Sequence, residues 1–558
     1  MNRIRFDCGC EFDLNENGGP ILREHEFNYN CPKTYAIIQQ GRTQGLFQLE
    51  SNLLKQKSKA ICPSNPSEMS DLVAIVRPGT LKSVVGEIED EKGNKKKITA
   101  ADQYIMVKNG KMEIKYFHPS LEPILKKTNG IILYQEQILQ IAQLLANFDL
   151  VQADLLRRGI GKKKAEIVAE CKQLFIDKAE QAGILSREKA EQLFAQIEAS
   201  NRYSFNKSHS FIYGMTALEA AFQKAHFPIE FYQAALEFCL GEQDPLVEIR
   251  KLVSDARKVD IEVLGPNINH LEKHFYIHPY EEKICFGLSD IKGISETTVD
   301  KIINVIHHIQ TQLGKPVSKW TWFEFLVNCT MARVGKDSIG VKTLETLVAA
   351  GALQVDDDRQ KMLFELKNWQ LLSKGEQEWL YKNQSRFTML VEAVKAVAPT
   401  KKNGGGCHSE KKSKEVFGLA RLLENPPTSL DDTVEFISKI ESELLGVSLS
   451  CSKVEACDLT SVNITCKEFN DGKRYGRMTF GVEIKEAKEI ECKNGQSKGR
   501  KMGFLTAEDP TGEIDNITVF SDEWFNFSHF LQAGNTVLIQ GEPDNYRGGI
   551  VLKNVIQI

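Results

Sequence analysis

The sequence predicts a multidomain protein that is mostly α-helical and ends in a small C-terminal β-barrel. Three observations lead to this prediction. The chain has 558 residues, enough for about three to four domains of ordinary size. Helical periodicity dominates from about residue 32 to 395. Short runs of alternating apolar and polar residues, separated by turn residues, replace it from about residue 460.

The helical prediction rests on apolar residues that recur once per turn. In GIILYQEQILQIAQLLANFDL, one stripe contains Ile138, Ile141, Ala142 and Leu145. KAEIVAECKQLFIDKAEQAGIL and MTALEAAFQKAHFPIEFYQAALEFCL predict two more helical runs. Pro228 is expected to break or re-cap the last of these, because proline cannot continue a helix interior.

The barrel prediction rests on five short strands and one helix near WFNFSHFLQ. The strands are MTFGVEIKEAKEI, MGFLTAED, IDNITVF, TVLIQGEP and GIVLKNVIQI, and this number suits a small barrel of the OB type. The helical part is followed by TKKNGGGCHSEKKSKEV, residues 400–416, with three consecutive glycines and five lysines. This composition predicts a flexible, solvated linker.

Charge and cysteine content limit the kind of protein this can be. There are 71 Lys and Arg against 75 Asp and Glu, a net charge of −4, so nucleic acid would have to bind at local basic clusters. The N-terminal residues lack the apolar core of a signal peptide, and no apolar run approaches the roughly 20 residues of a membrane span. We expect a cytoplasmic protein without membrane association, whose 13 cysteines are free thiols.

The strongest local signal for ligand binding is LLRRGIGKKKAEI. Five cations, Arg157, Arg158, Lys162, Lys163 and Lys164, flank a Gly-Ile-Gly sequence that predicts a tight turn before a helix. A helix N-terminus and arginine forks both bind phosphate oxygens, so the segment could hold a triphosphate or a nucleic-acid backbone. The alternative is a solvated helix cap with a basic face.

A second polar cluster occurs in NRYSFNKSHSFIYGM. Lys207 and His209 supply cationic or donor groups, Asn206 adds hydrogen bonds, and Tyr213 offers a ring on which a base could stack. Arg77, in AIVRPGT, precedes a Pro-Gly turn at the end of an apolar run. Each of these residues could also be purely structural.

Taken together, these stretches resemble the fingers domain of the C-family polymerases, the bacterial DNA polymerase III alpha subunits. The resemblance rests on seven segments in the family's order: TQGLFQLES, DLVAIVRPGTL, YFHPSLEPIL, GIILYQEQILQIAQ, ADLLRRGIGKKK, FNKSHSFIYGM and KAHFPIEFYQAAL. It implies a pocket for the incoming deoxynucleoside triphosphate (dNTP) and nearby template, formed by Arg77, Arg157, Arg158, Lys162, Lys163, Asn206, Lys207, His209 and Tyr213.

The resemblance continues beyond the fingers. ICFGLSDIKGISETTVDKII is similar to the first of two tandem helix-hairpin-helix units that hold duplex DNA, with Gly287, Lys292 and Gly293 in the hairpin and Ser295 where a second glycine is usual. SKEVFGL stands where the family binds the sliding clamp. Val416 and Phe417 match its apolar anchors, although Ser413 replaces the expected glutamine.

The terminal barrel resembles the family's OB domain, which binds the single-stranded template. Charge and stacking faces in the barrel would come from Arg474, Tyr475, Arg477, Lys501 and Tyr546, whereas Phe504 is expected in the barrel core. Lys164, in the fingers, is also expected to bind DNA. The implied domains are a preamble or docking segment (1–31), fingers (32–280), tandem helix-hairpin-helix (281–399), flexible linker with a degenerate clamp-binding segment (400–460) and OB fold (461–558).

By this resemblance, catalysis needs Mg²⁺ held by an Asp-x-Asp motif in a palm domain that precedes the fingers. Asp356–Asp358 and Asp431–Asp432 are expected in loops, and Asp7 only resembles the setting of a third palm aspartate. We therefore expect no catalytic residue here, and docking onto a separate palm-bearing chain through an apolar surface near residues 1–50. The alternative is a truncated or repurposed DNA-binding scaffold that uses the hairpin and OB modules.

A metal site remains open as a minor alternative. Cys8, Cys10 and Cys31 together with His25 could bind zinc, but their spacing is not a standard one. Free thiols are the favoured interpretation, and no resident metal is assigned to this chain.

Overall fold

The chain folds into two compact units, Met1–Pro228 and Ile229–Ile558. The computed structural model describes residues 3–557 apart from 16–20, 22–26, 90–94, 162–164, 202–203, 456, 474–475, 493–496 and 545–548. None of the helices in these described ranges combines the length and apolarity that a membrane crossing requires.

The first unit is mostly helical and contains two small hairpins. Its elements are β1 (Arg3–Arg5), β2 (Glu11–Asp13), α1 (Pro32–Gln39), α2 (Asn52–Ile61), α3 (Pro66–Ile75), α4 (Pro78–Lys82), β3 (Val84–Glu89), β4 (Lys95–Thr99), α5 (Ala100–Lys108), α6 (Glu122–Leu125), α7 (Gln135–Ala146), α8 (Leu150–Gly161), α9 (Ala165–Gln181), α10 (Arg187–Asn201) and α11 (Lys207–His226).

Helices α7 to α10 surround one apolar core. The predicted stripe Ile138, Ile141, Ala142 and Leu145 is fully buried there, against side chains such as Phe175. The periodicity thus correctly identified the buried face of α7. The expected effect of Pro228 is also confirmed, because α11 ends at His226 and the next helix begins at this proline.

The N-terminal preamble is part of this unit's interior. Strands β1 and β2 pair antiparallel, with Ile4 opposite Phe12. Phe12 is 1% exposed and packs with Cys10, Cys31 and Phe222 of α11. Part of the apolar surface near residues 1–50 that we expected to dock a palm-bearing chain is therefore buried within this unit.

The second unit adds more helices, a three-stranded sheet and the barrel. Its elements are α12 (Pro228–Phe238, from the last residue of the first unit), α13 (Pro245–Arg257), β5 (Val263–Leu264), β6 (Tyr276–Ile277), β7 (Ile284–Cys285), α14 (Glu296–Leu313), α15 (Trp322–Met331), α16 (Val341–Ala349), α17 (Arg359–Trp369), α18 (Lys374–Asn383), α19 (Leu390–Val397), α20 (Glu410–Glu424), α21 (Val434–Leu445), α22 (Cys466–Asn470), β8 (Met478–Glu491), β9 (Lys501–Asp509), β10 (Gly512–Val519), α23 (Ser521–Phe527), β11 (Thr536–Pro543) and β12 (Ile550–Gln557).

The boundary proposed at residue 280 falls inside the second unit. Strand β5 pairs in parallel with β7, Val263 lying opposite Ile284, and β6 completes the sheet. Because these pairings tie residues on both sides of position 280 together, the predicted fingers boundary does not coincide with a boundary of the compact units.

The prediction of a flexible linker at 400–416 is wrong. Residues Lys401–Asn403 form a 3₁₀ helix, Lys401 N donates to Cys407 O at 2.8 Å, and Cys407 is completely buried. A Cβ on Gly405 would stand only 1.9 Å from Pro399 O. Gly405 allows close backbone packing, which composition alone cannot distinguish from flexibility.

The predicted barrel is present, with its five strands and one helix close to the expected positions. The strands close in the order β10-β12-β11-β8-β9, and β10 pairs with β12 in parallel at Ile517 and Ile550. Residues such as Phe480 and Leu505 fill the interior. Phe504 is only partly buried and lies outside this core, contrary to expectation, because neighbours on a strand point to opposite faces.

Candidate functional site

The candidate site lies where the N-terminal ends of α7 and α11 meet. The residues just before α11 run beside those just before α7, since Phe205 N donates to Leu133 O at 3.0 Å and Gln135 N donates to Phe205 O at 2.9 Å. This short parallel pairing brings together two segments that are about 70 residues apart in sequence. The pairing thereby places the start of the second cation-rich motif beside the start of α7, the helix that Arg157 of the first motif contacts.

Asn206 and Glu136 organise the start of α11. The Asn206 side chain is the N-cap, accepting from His209 N at 2.8 Å, and its Nδ2 donates to Glu136 Oε1 at 3.0 Å. Lys207 N donates to the same carboxylate at 3.1 Å. A carboxylate at a helix N-terminus is favourable because it meets unpaired N–H groups. Sequence analysis did not identify Glu136.

Arg77 lies over the ring of Phe205, with its guanidinium carbon 3.7 Å from the ring centroid. This is close cation–π geometry. Burial lowers the pKa of Arg77 from its ordinary value. Among the described residues, no atom accepts a hydrogen bond from the buried Nε.

Beside Arg77, aromatic rings continue along the first turns of α11. His209 lies 5.3 Å from Phe205 and 4.1 Å from Tyr213, and Tyr213 in turn stacks on Phe47 at 5.2 Å, between centroids. His209 is exposed and Tyr213 half-buried. A row of partly exposed rings is the kind of surface on which nucleobases stack.

Arg157 and Arg158 occupy the last turns of α8, and both contact Asp154. Arg157 Nη2 and Arg158 Nε lie 2.8 Å and 2.6 Å from its two carboxylate oxygens. Arg157 Nη1 also donates to Gln135 Oε1 at 3.1 Å, which connects it to the start of α7. The hydrogen bond from Arg157 is the main cause that lowers the pKa of Asp154.

The predicted glycine turn between these arginines and the lysines is wrong. Helix α8 continues through Gly161, and a Cβ on Gly159 would lie 2.8 Å from Ile167 Cγ2 of α9. Gly159 therefore permits close helix packing. Three of the predicted cations lie outside the described residues: Lys162, Lys163 and Lys164.

Beneath the site is a buried polar network that sequence analysis missed. Tyr134 donates to Asp71 Oδ1 at 2.6 Å, and Tyr104 donates to Asp71 Oδ2 at 2.7 Å. Ser70 Oγ lies 2.9 Å from both Tyr134 Oη and Ser210 Oγ. Burial raises the pKa of Asp71 to about 6. The network joins α3, α5, α7 and α11.

The predicted hairpin residues have two different environments. Lys292 and Gly293 are exposed, and Gly293 has φ +92, which favours glycine. Ser295 caps α14 by accepting from Thr298 N. Gly287, however, is buried, its N–H donates to Asp290 Oδ2 at 3.0 Å, and a Cβ there would stand 2.3 Å from a backbone oxygen. It serves packing and does not join the exposed hairpin.

The predicted barrel residues are also separated. Arg477 precedes β8 and donates to Gln540 Oε1 at 2.7 Å, whereas Lys501 pairs with Glu489 Oε1 at 2.6 Å near the other end of β8. Both are exposed. The remaining three predicted residues lie outside the described ranges: Arg474, Tyr475 and Tyr546.

The two predicted clamp anchors lie within α20 and do not share an environment. Val416 is 1% exposed, while Phe417 is 44% exposed. The structure therefore presents only Phe417 to a partner. The aspartate runs considered as metal ligands lie outside strands, and Asp432 N donates to Asp358 Oδ1 at 3.1 Å.

Comparison with known proteins agrees with this architecture. Residues 12–183 match the family model for the bacterial DNA polymerase III alpha subunit finger domain, and residues 260–311 match a helix-hairpin-helix motif. The DNA polymerase III subunit alpha of Aquifex aeolicus is 32% identical over 562 residues, covering 98% of this chain and 43% of that protein.

Two further relatives show the same pattern. The DNA polymerase III subunit alpha of Pseudomonas aeruginosa is 30% identical over 544 residues, covering 93% of this chain and 41% of its own length. That of Thermus aquaticus is 32% identical over 542 residues, covering 95% of this chain and 39% of that protein. The chain thus spans about two fifths of the length of these relatives. With matches to a finger domain and a helix-hairpin-helix motif, the chain is similar over almost its entire length to part of the bacterial DNA polymerase III alpha subunits, the C-family DNA polymerases.

Proposed function

We propose that this chain is the nucleotide- and DNA-holding part of a replicative DNA polymerase, and that a separate palm-bearing chain supplies the metal-binding aspartates. The observation that carries the proposal is the row of rings from Phe205 through His209 to Tyr213, flanked by Arg77 over Phe205 and by Lys207 over the neighbouring Tyr134. The similarity to the alpha subunits makes a polymerase role the natural context for this surface.

The proposed division of labour follows from the chemistry of the groups. Arg77, Arg157 and Lys207 are cations that can neutralise a triphosphate, and the ring row from Phe205 to Tyr213 can stack a base. Phosphoryl transfer depends mainly on such positioning and charge stabilisation. The chain would thereby align an incoming dNTP, while Mg²⁺ held by the partner's aspartates would activate the primer 3′-hydroxyl and brace the triphosphate.

The same proposal assigns DNA contacts to the second unit. The exposed hairpin with Lys292 and Gly293 suits the backbone of the primer–template duplex, and the barrel suits the single-stranded template. Phe417 is available for a sliding clamp, but without Val416 beside it as a second anchor. We therefore expect clamp affinity to be weak.

Primer extension tests the proposal directly. The full chain is assayed alone and mixed with a palm-bearing chain from the same genome, with dNTP titrated at saturating primer–template. We expect extension only in the mixture. Arg77→Ala combined with Lys207→Ala should raise the KM for dNTP by about tenfold or more, because each lost phosphate contact contributes on the order of 1 kcal/mol.

Arg187→Ala is the matched control. This arginine is exposed on α10 and pairs with Asp177 and Glu180, so its loss should leave the KM within about twofold. Extension by the chain alone, once contaminating polymerase is excluded, would contradict the assignment of the aspartates to a partner.

A non-catalytic DNA-binding scaffold is the second candidate, favoured by the exposed hairpin and barrel surfaces. It predicts no extension in the mixture and unchanged binding of single-stranded DNA by the Arg77→Ala, Lys207→Ala variant. Retained DNA binding without any measurable dNTP binding would therefore replace the polymerase proposal with this one.

A further inference from the structure

Three cysteines and one histidine come together in the first unit, away from the nucleotide site. Cys8 and Cys10 belong to the β1–β2 hairpin, Cys31 directly precedes α1, and His226 ends α11. Their Sγ atoms and a histidine ring nitrogen all lie within 4.8 Å of one another. A span of 195 residues in sequence separates Cys31 from His226, so the fold itself assembles the group.

The distances fit the edges of a metal-ligand tetrahedron. His226 Nε2 lies 3.4 Å from Cys31 Sγ and 3.8 Å from Cys8 Sγ. A zinc ion with Zn–S of about 2.3 Å and Zn–N of about 2.0–2.1 Å places its ligands about 3.6 Å apart for S···N and about 3.8 Å apart for S···S. Little movement of these side chains would be needed to bind the ion.

The local backbone directs the thiols towards one point. Gly9, between Cys8 and Cys10, has φ +85, and the turn is closed by Gly9 N donating to Phe6 O at 2.8 Å and Phe6 N donating to Cys10 O at 2.9 Å. The positive φ favours glycine here. Cys31 is the N-cap residue of α1, and its side chain makes no capping hydrogen bond, so its Sγ atom faces His226 instead.

The histidine is the observation that distinguishes this group from buried thiols. His226 is 5% exposed, its ring packs against Phe222 and Phe6 at centroid distances of 4.4 and 4.7 Å, and only its Nε2 faces the sulfurs. Buried cysteines alone commonly act as small apolar residues. Without a metal ion, the buried Nε2 has only weak hydrogen bonds to sulfur, whereas a bound metal ion would take it and the three thiols as ligands.

We propose that Cys8, Cys10, Cys31 and His226 form a structural zinc site. Four protein ligands leave no open coordination position, which is typical of structural and not catalytic zinc. The ion would fasten the N-terminal hairpin to the C-terminal end of α11. The nucleotide-site residues are at the other end of this 20-residue helix, about 30 Å away, so the inference does not depend on the polymerase proposal.

Metal analysis of the full chain, purified without chelator, is the first test. We expect close to one zinc per chain by mass spectrometry, released when a mercurial reagent modifies the thiols. Cys8→Ser and His226→Ala should lose the metal, whereas His226→Cys, which replaces the nitrogen with a fourth thiolate, should retain it. Cys62→Ser is the matched control, because Cys62 is an exposed cysteine outside the group.

Cobalt substitution makes the test independent of whether the variants fold. The wild-type chain reconstituted with Co²⁺ should show the visible bands of a tetrahedral ion and thiolate charge-transfer absorption. Wild-type protein that holds less than about a tenth of an equivalent of zinc after reconstitution, and shows neither cobalt signature, would overturn the proposal. Zinc that survives in a folded His226→Ala variant would also overturn this ligand set.

Discussion

Asp71 should make the stability of the first unit depend on pH. Its carboxyl group is 3% exposed and accepts hydrogen bonds from Tyr104 and Tyr134. Burial raises its pKa from 3.8 to about 6 in spite of these bonds. Because the folded-state pKa is the higher one, the stabilising contribution of this group is fully present below pH 3.8 and is lost as the pH rises through about 6.

The size of the effect follows from the two pKa values. Their difference corresponds to about 3 kcal/mol in the free energy of unfolding, and about 1.4 kcal/mol of this is lost between pH 5 and pH 8. The substitution Asp71→Asn has nearly the shape of the protonated carboxyl group but cannot ionise. Relative to the wild type, this variant should therefore gain about 1.4 kcal/mol between pH 5 and pH 8.

Hydrogen exchange measured by mass spectrometry suits this test. All five tryptophans follow residue 228, so their fluorescence reports on the second unit and serves as an internal control. At each pH, the opening free energies of the amides in α3 and α11 are compared between the wild type and Asp71→Asn. The intrinsic exchange rates cancel in this comparison. Asp177→Asn, on α9, is the control for a change of charge, because this side chain is 40% exposed and its partner Arg187 is at the surface.

A difference between the proteins that stays constant from pH 5 to pH 8 would refute the reasoning. So would a wild type that gains stability over the variant as the pH rises. The first result would mean that the folded-state pKa of Asp71 is not raised, and the second would mean that another group dominates the pH dependence.

Two further substitutions test packing and buried charge. Gly214→Val should destabilise the first unit by about 1–3 kcal/mol, because a Cβ there lies 3.1 Å from Ser70 N, where α11 crosses α3; a thermal midpoint equal to that of the wild type would contradict this. Arg359→Met should cost the second unit about 3–5 kcal/mol, because it removes the 2.9 Å ion pair with the buried Glu441. Urea unfolding followed by tryptophan fluorescence measures the loss, and a shift below about 1 kcal/mol would show that Glu441 is adequately satisfied by its hydrogen bonds from Leu449 and Ser450.

Local patterns in the sequence were sufficient for much of the fold. The stripe from Ile138 to Leu145 identified the buried face of α7, and strand alternation identified the terminal barrel. Both signals are short-range, because a helix or strand repeats its buried face every few residues. The same kind of reasoning failed at Gly159 and Gly405, where glycine serves close packing and not a turn or a flexible linker.

The sequence by itself determined the similarity to the alpha subunits, the helical and barrel parts, and most of the candidate cations. Only the tertiary structure decided which of those cations meet, through the pairing of Phe205 with Leu133, and that Gly287 and Val416 are buried. It also placed Asp71 between two tyrosines and His226 beside three cysteines. These contacts join residues that are tens to hundreds of positions apart in the sequence. No local periodicity encodes which of them meet in space, because the packing of whole helices decides it.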